Sequence, residues 1–169
     1  MDQELCVDVY IEISKNSHIK YEFNHKTNML MCDRILHTPF SYPFNYGFIP
    51  NTLSLDNDPI DVIVLMDDQL IPGSSIKCKF LGCLETKDDE GIDPKLIMCP
   101  CDKIDPTYKA IHDIHDIPNH TVDKIRYFFK HYKDLEHKQV EVGNILDKKM
   151  AIKIYKKAYE NYKMIKSAI

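Results

Sequence analysis

The stretch Leu55-Asp56-Asn57-Asp58-Pro59-Ile60-Asp61-Val62-Ile63-Val64-Leu65 places Asp56, Asp58 and Asp61 hard against an apolar run. Apart from Asp61, the run from Ile60 to Leu65 is continuous, which reads as a strand buried on both faces. Like charges gathered beside such a strand raise one another's pKa values and do not all stay ionised unaided. In an extended chain Asp56 and Asp58 share a face and Asp61 points the other way. Pro59 interrupts the ladder and permits a turn that brings Asp61 round to the other two. On this segment alone two readings stay open. The aspartates supply turn hydrogen bonds, or they converge on a hard divalent cation such as Mg2+, Mn2+ or Ca2+. An EF-hand calcium loop fails, because Asp61 stands where that loop needs Gly and a strand follows where a helix should.

Working outward, Val7 to Ile13 and Ile19 to Phe23 alternate with period two, as half-buried strands do. Residues 24–28 read as a hairpin connection to Met29-Leu30-Met31, and Pro72-Gly73 as a turn. Ser75 to Leu84 reads as a pair of strands and Lys95 to Cys99 as another strand. The last third changes period. Val122, Ile125, Phe129 and Tyr132 recur at helical spacing, as do Ala151, Ile154, Tyr155, Ala158, Tyr162 and Ile165. Short strands followed by two helices predict a mainly β (α+β) fold, a small β-barrel with helices laid against it. A length of 169 residues suits one domain spanning 1–169.

The composition excludes several classes. With 22 basic and 26 acidic residues the formal net charge is −4, which argues against a nucleic-acid partner. No apolar run is long enough to span a membrane, so none is expected as a partner. The N-terminus MDQELCVDVYIEIS lacks the basic and apolar segments of a signal peptide. Only five glycines occur, with neither a Walker loop nor G-x-G-x-x-G, which disfavours a nucleoside-triphosphate fold. The six cysteines include no C-x-x-C, and their spacing predicts free thiols in a reducing, cytoplasmic compartment. His112-Asp113-Ile114-His115 reads as a surface loop, since further metal ligands are missing around it.

A second acidic cluster, Asp88-Asp89-Glu90 with Asp93, reads singly as a solvated loop. Beside the first cluster, Glu12 and Glu22, it could hold several hard cations. Cations at that density need a bridging anion. Lys20, Arg34, Tyr42, Tyr46, Lys95, Tyr132 and Lys133 are the basic and phenolic groups that phosphate oxygens select. Taken one at a time, these lysines are surface residues and these tyrosines core or rim aromatics. Together they define a class, metal-assisted phosphoryl chemistry on a small, highly charged phosphate.

At this point the chain resembles the family I soluble inorganic pyrophosphatases in their short, bacterial-type form. Asp56-Asn57-Asp58-Pro59-Ile60-Asp61-Val62 fits the family signature D-x-D-P-x-D-V. Tyr10 to Ile13, Ile19 to Glu22, Asp33-Arg34, Tyr42 to Gly47 and Phe129 to Glu136 agree in order and spacing. The resemblance implies a five-stranded barrel of oligonucleotide-binding (OB) type, a homo-hexamer, and hydrolysis of pyrophosphate to two phosphates with several Mg2+ per site, Mn2+ being the alternative. It implies that Asp56, Asp61 and Asp93 hold the two metals that activate water, and that Asp58 accepts the water's proton. Glu12, Asp88 and Asp89 would serve further metals, with a one-step shift to Asp89 and Glu90 left open. Lys20, Arg34, Tyr46, Lys95, Tyr132 and Lys133 would bind phosphate oxygens, with Glu22 and Tyr42 completing the pocket. The chain departs from the pattern at Phe48, where tyrosine is common, at Glu90, where a small residue is usual, and at Lys138, which fits a family lysine only across a one-residue deletion. The rival readings are a polyanion-binding barrel without catalysis, against which the pocket carboxylates argue, and an enzyme for another phosphoanhydride.

Overall fold

The computed structural model describes residues 3–169. The strands are β1 (Cys6–Ile13), β2 (Ile19–Asn24), β3 (Met29–Ile35), β4 (Asn45–Phe48), β5 (Asp61–Val64), β6 (Ser75–Asp88), β7 (Gly91–Ile92) and β8 (Lys95–Pro100). Helix α1 (Asn119–His131), strand β9 (Glu141–Asp147) and helix α2 (Lys148–Ser167) complete the chain.

The β-branched run after Pro59 forms β5 at the centre of the architecture, with Val62, Ile63 and Val64 fully buried. β5 pairs antiparallel with β4 and parallel with β8. β6 pairs with both β8 and β1, and β1 returns to β4, so the strands β1-β4-β5-β8-β6 close into a twisted ring. This is the five-stranded closed sheet expected of the sequence, with two helices on it. Register shifts between Ile11 and Ile13 and between Phe80 and Gly82 supply the local bends that closure needs. At Gly47 the ring is so tight that an added Cβ would lie 1.7 Å from the Tyr10 carbonyl oxygen.

Alternate residues of β5 and β8 feed two apolar clusters. Ile63 and Ile97 join one, with Phe128 and Phe129 of α1, while Val62, Val64, Leu96 and Met98 join the other, with Ala151 and Ala158 of α2. In α1 the buried face is Ile125, Phe128 and Phe129, and it packs on Tyr42 and Phe44, with the Phe44 and Phe129 rings stacked 5.6 Å apart. In α2 the Asp147 side chain caps the first turn by accepting from the Met150 N–H at 3.0 Å. The small residues Ala151 and Ala158 face the sheet, where Tyr155 meets Phe80 at 5.2 Å.

Four expectations change. β4 lies in an aromatic, proline-bearing stretch with little alternation, and was not expected as a strand. β9, whose residues are half-buried or exposed, adds to β6 between the two helices. Ser75 to Leu84 is part of one long strand rather than a pair, because its bulge lets it turn the corner of the ring unbroken. Cys6 and Cys101 are joined in a disulfide, whereas all six thiols were expected to be free. Their spacing hides this, since they lie 95 residues apart. Lys79 of β6 stands opposite Cys6 on one side and Cys99 on the other, so the ring itself brings the two cysteines together. Cys32, Cys78, Cys83 and Cys99 are free.

Candidate active site

The Asp-rich segment folds as the turn that Pro59 allows. Asn57 takes a left-handed φ of 65°, Asp56 Oδ1 accepts from the Asp58 N–H at 3.0 Å, and the Ser54 N–H reaches the Asp58 carbonyl at 2.8 Å. The turn-forming reading is therefore correct for Asp56. The same turn delivers Asp56 and Asp58 to the cleft where Asp61 opens β5.

That cleft, about 420 Å3 in volume, brings every expected site residue together. β1 supplies Glu12, β2 Lys20 and Glu22, β3 Arg34, and β4 Tyr46, with Tyr42 on the segment before it. β6 ends in Asp88, followed by Asp89; Asp93 precedes β8, and Lys95 begins it. Tyr132 caps the C-terminus of α1 and Lys133 follows. Glu90 and Lys138 also line the cleft, so both open alternatives lie within reach of it.

The parallel register of β5 and β8 sets Asp61 beside Lys95. The Lys95 ammonium donates to Asp61 Oδ2 at 2.6 Å and to Asp93 Oδ2 at 2.5 Å. It also lies 5.6 Å from the centres of the Tyr46 and Phe129 rings. Burial works against its charge, but Asp61 first, then Tyr46 and Asp93, hold its pKa well above the usual lysine value. Lys95, expected as a phosphate ligand, thus sits among the carboxylates assigned to metal.

The acidic groups are under electrostatic pressure. Burial, with Asp61 and Glu22 adding to it, pushes Glu12 up to about 8, although the Phe23 N–H donates to its Oε2 at 2.8 Å. Asp93 is pushed up to about 6 by burial, which outweighs the pull of Lys95. Asp58 is raised by burial and then by Asp56 and Asp61. Among the described residues no three His, Cys, Asp or Glu side chains form a ready-made metal cage. The donor set is nonetheless all hard oxygen and short of positive charge, which is the chemistry that Mg2+ or Mn2+ fits.

The opposite wall is basic and phenolic. Lys20 reaches Asp33 at 3.3 Å, and Arg34 reaches the same Asp33 oxygen at 2.5 Å. Lys133 has its pKa lowered by burial and then by Lys20 and Arg34, so the cations repel as the carboxylates do. Burial raises Tyr132 to about 12 and holds Tyr42 and Tyr46 well above the usual phenol value, which keeps all three as neutral hydrogen-bond donors. Phe48, in place of a tyrosine, joins an apolar rim with Tyr10, Phe23 and His25. Asp33 and Glu136 had no role assigned from the sequence. Both lie in quoted motifs, but the signal for Glu136 is an ion pair to Arg34 that spacing does not reveal.

Comparisons with known proteins point to one family. A family model described as inorganic pyrophosphatase matches residues 9–163. An inorganic pyrophosphatase of Helicobacter pylori is 49% identical over 159 residues, covering 94% of this chain and 91% of that one. One from Aquifex pyrophilus is 47% identical over 159 residues, covering 92% and 90%. A solved Helicobacter pylori inorganic pyrophosphatase superposes with a TM-score of 0.91 at 48% identity, covering 95% and 94%.

Proposed function

The chain belongs to the inorganic pyrophosphatase family and is a hydrolase of pyrophosphate, and from that premise we propose a Mg2+-dependent reaction in which water attacks one phosphorus and two orthophosphates leave. The observation that carries this is the meeting, in one cleft, of a carboxylate floor with a basic and phenolic wall. Asp56, Asp61 and Asp93 are the residues that would hold Mg2+ (or Mn2+) at the floor, with Glu12, Asp88 and Asp89 for further ions. When bound, the metal supplies positive charge among these carboxylates and acidifies the attacking water.

The chain's own groups do the rest. The Asp58 carboxylate accepts the proton of the attacking water, and burial with Asp56 and Asp61 beside it raises its proton affinity above that of a free carboxylate. Lys20, Arg34 and Lys133 bind phosphate oxygens electrostatically. Tyr46 and Tyr132 donate phenolic protons to those oxygens, and Tyr42 and Glu22 complete the walls. Lys95 offsets Asp61 and Asp93, which lets the floor exist before any cation arrives. Charge developing on the leaving phosphate meets these donors already in place.

Residues 1–169 work as one domain in this reading, and the assembly is a homo-hexamer, which light scattering distinguishes from a monomer. No helix among the described residues is long and apolar enough to cross a membrane. The cytoplasmic location rests on the expectation of free thiols, which four of the six cysteines meet, while the Cys6–Cys101 disulfide argues for an oxidising surrounding; thiol trapping in freshly quenched cells decides between them. The activity is tested by phosphate release from pyrophosphate, tripolyphosphate and ATP, with and without Mg2+. Fast release from pyrophosphate alone, lost on chelation, is expected. Preference for another anhydride, or release indifferent to Mg2+, refutes the reading.

A further inference from the structure

The hairpin β2–β3 is a sheet of its own, outside the hydrogen-bond ladder of the ring. It carries Lys20 and Arg34 as register partners, so two cations stand side by side at its open end. Asp33, which itself lines the cleft, offsets both. From within, Glu136 places Oε1 2.8 Å from Arg34 Nε. The Glu136 side chain is 8% exposed and does not line the cleft. Its Oε2 and the Arg34 Nε have no hydrogen-bond partner, so the contact is an ion pair without an aligned hydrogen bond. A buried carboxylate held this way is costly unless its charge is used.

Glu136 closes the short 3-10 turn Asp134–Glu136, which His137 ends in the left-handed conformation at φ 56°. That turn directly follows Tyr132 and Lys133. The ion pair therefore ties the hairpin's cations to the segment that carries the phenol and ammonium of the same wall. Glu136 takes the Nε edge of the guanidinium and Asp33 takes Nη1, so Nη2 is the nitrogen that this geometry leaves for an anion in the cleft.

We propose that Glu136 is a positioning residue of the pyrophosphate site, acting through Arg34 to hold the hairpin's guanidinium in place on the wall it shares with Tyr132 and Lys133, without touching substrate. This rests on the reading of the cleft as the pyrophosphate site. The chain has two arginines, Arg34 and Arg126, and Arg126 donates to the Gly143 carbonyl at 2.7 Å, well suited to serve as an internal standard.

The test has two arms. In metal-free protein, phenylglyoxal labelling followed by peptide mapping should show Arg34 modified several-fold faster in Glu136→Gln, with Arg126 unchanged. In steady-state hydrolysis, Glu136→Gln should raise KM for pyrophosphate by about tenfold with a smaller change in kcat. In an Arg34→Lys background the same substitution should add little, because both changes act through one group. Glu136→Asp keeps the charge at shorter reach and should fall between wild type and Gln; it replaces Gln in both arms if that variant does not fold. Unchanged Arg34 labelling, or additive KM effects, overturns the proposal. Absence of hydrolysis in wild type refutes the site reading instead, and labelling alone then decides whether Glu136 holds Arg34.

Discussion

Asp58 and Glu12 show how much the site asks of single carboxylates. Asp58→Asn keeps the shape but removes the proposed proton acceptor, so kcat should fall about 10²–10⁴-fold with the fold intact. Near-normal phosphate release by this variant, with an unchanged circular dichroism spectrum, would remove Asp58 from the mechanism. Glu12 carries a pH signature. Its folded pKa, about 8, lies above its unfolded value because it is buried and faces Asp61 and Glu22. Its contribution to stability is therefore full at low pH and lost as pH rises through about 8. In chelator the thermal midpoint should drop by roughly 5 °C between weakly acid and weakly alkaline pH. Mg2+ should restore more of it on the alkaline side, where the carboxylate is free to bind. Glu12→Gln should flatten the slope, and thermal scans across pH in which it does not would assign the dependence elsewhere.

The pairing of β1 with β4 is the tightest demand among the elements. Gly47 lies against the Tyr10 backbone, and a methyl group there has no flexible side chain to push aside. Gly47→Ala should cost about 3 kcal/mol or more, as overpacking against rigid backbone does. A urea midpoint close to that of wild type would mean that the two strands can separate without penalty. The elements differed in how plainly the sequence announced them. β1, β2 and β5 alternate or run apolar, and α1 and α2 repeat at helical spacing, so each was legible. β4 was not, because its residues are buried on every side and show no alternation. β9 was not, because it gains its order from the edge of β6 rather than from a buried face of its own.

Over the whole molecule, the closed ring explains both the site and the disulfide. Cys6–Cys101 ties the start of β1 to the chain just beyond β8, and neither residue lines the cleft. Cys6→Ser should lower stability by about 2–4 kcal/mol, mainly by loosening the unfolded chain's constraint, and leave turnover intact. Lost turnover at an unchanged melting temperature would contradict that separation of staple from site. The sequence by itself determined most of the strand and helix periods and the turn at Asp56-Asn57-Asp58-Pro59, because these depend on neighbours along the chain. Only the tertiary structure decided that Lys95 sits between Asp61 and Asp93, that Glu136 backs Arg34, and that Cys6 meets Cys101. Those contacts follow from strand register and ring closure, which depend on how distant segments pack rather than on any local pattern.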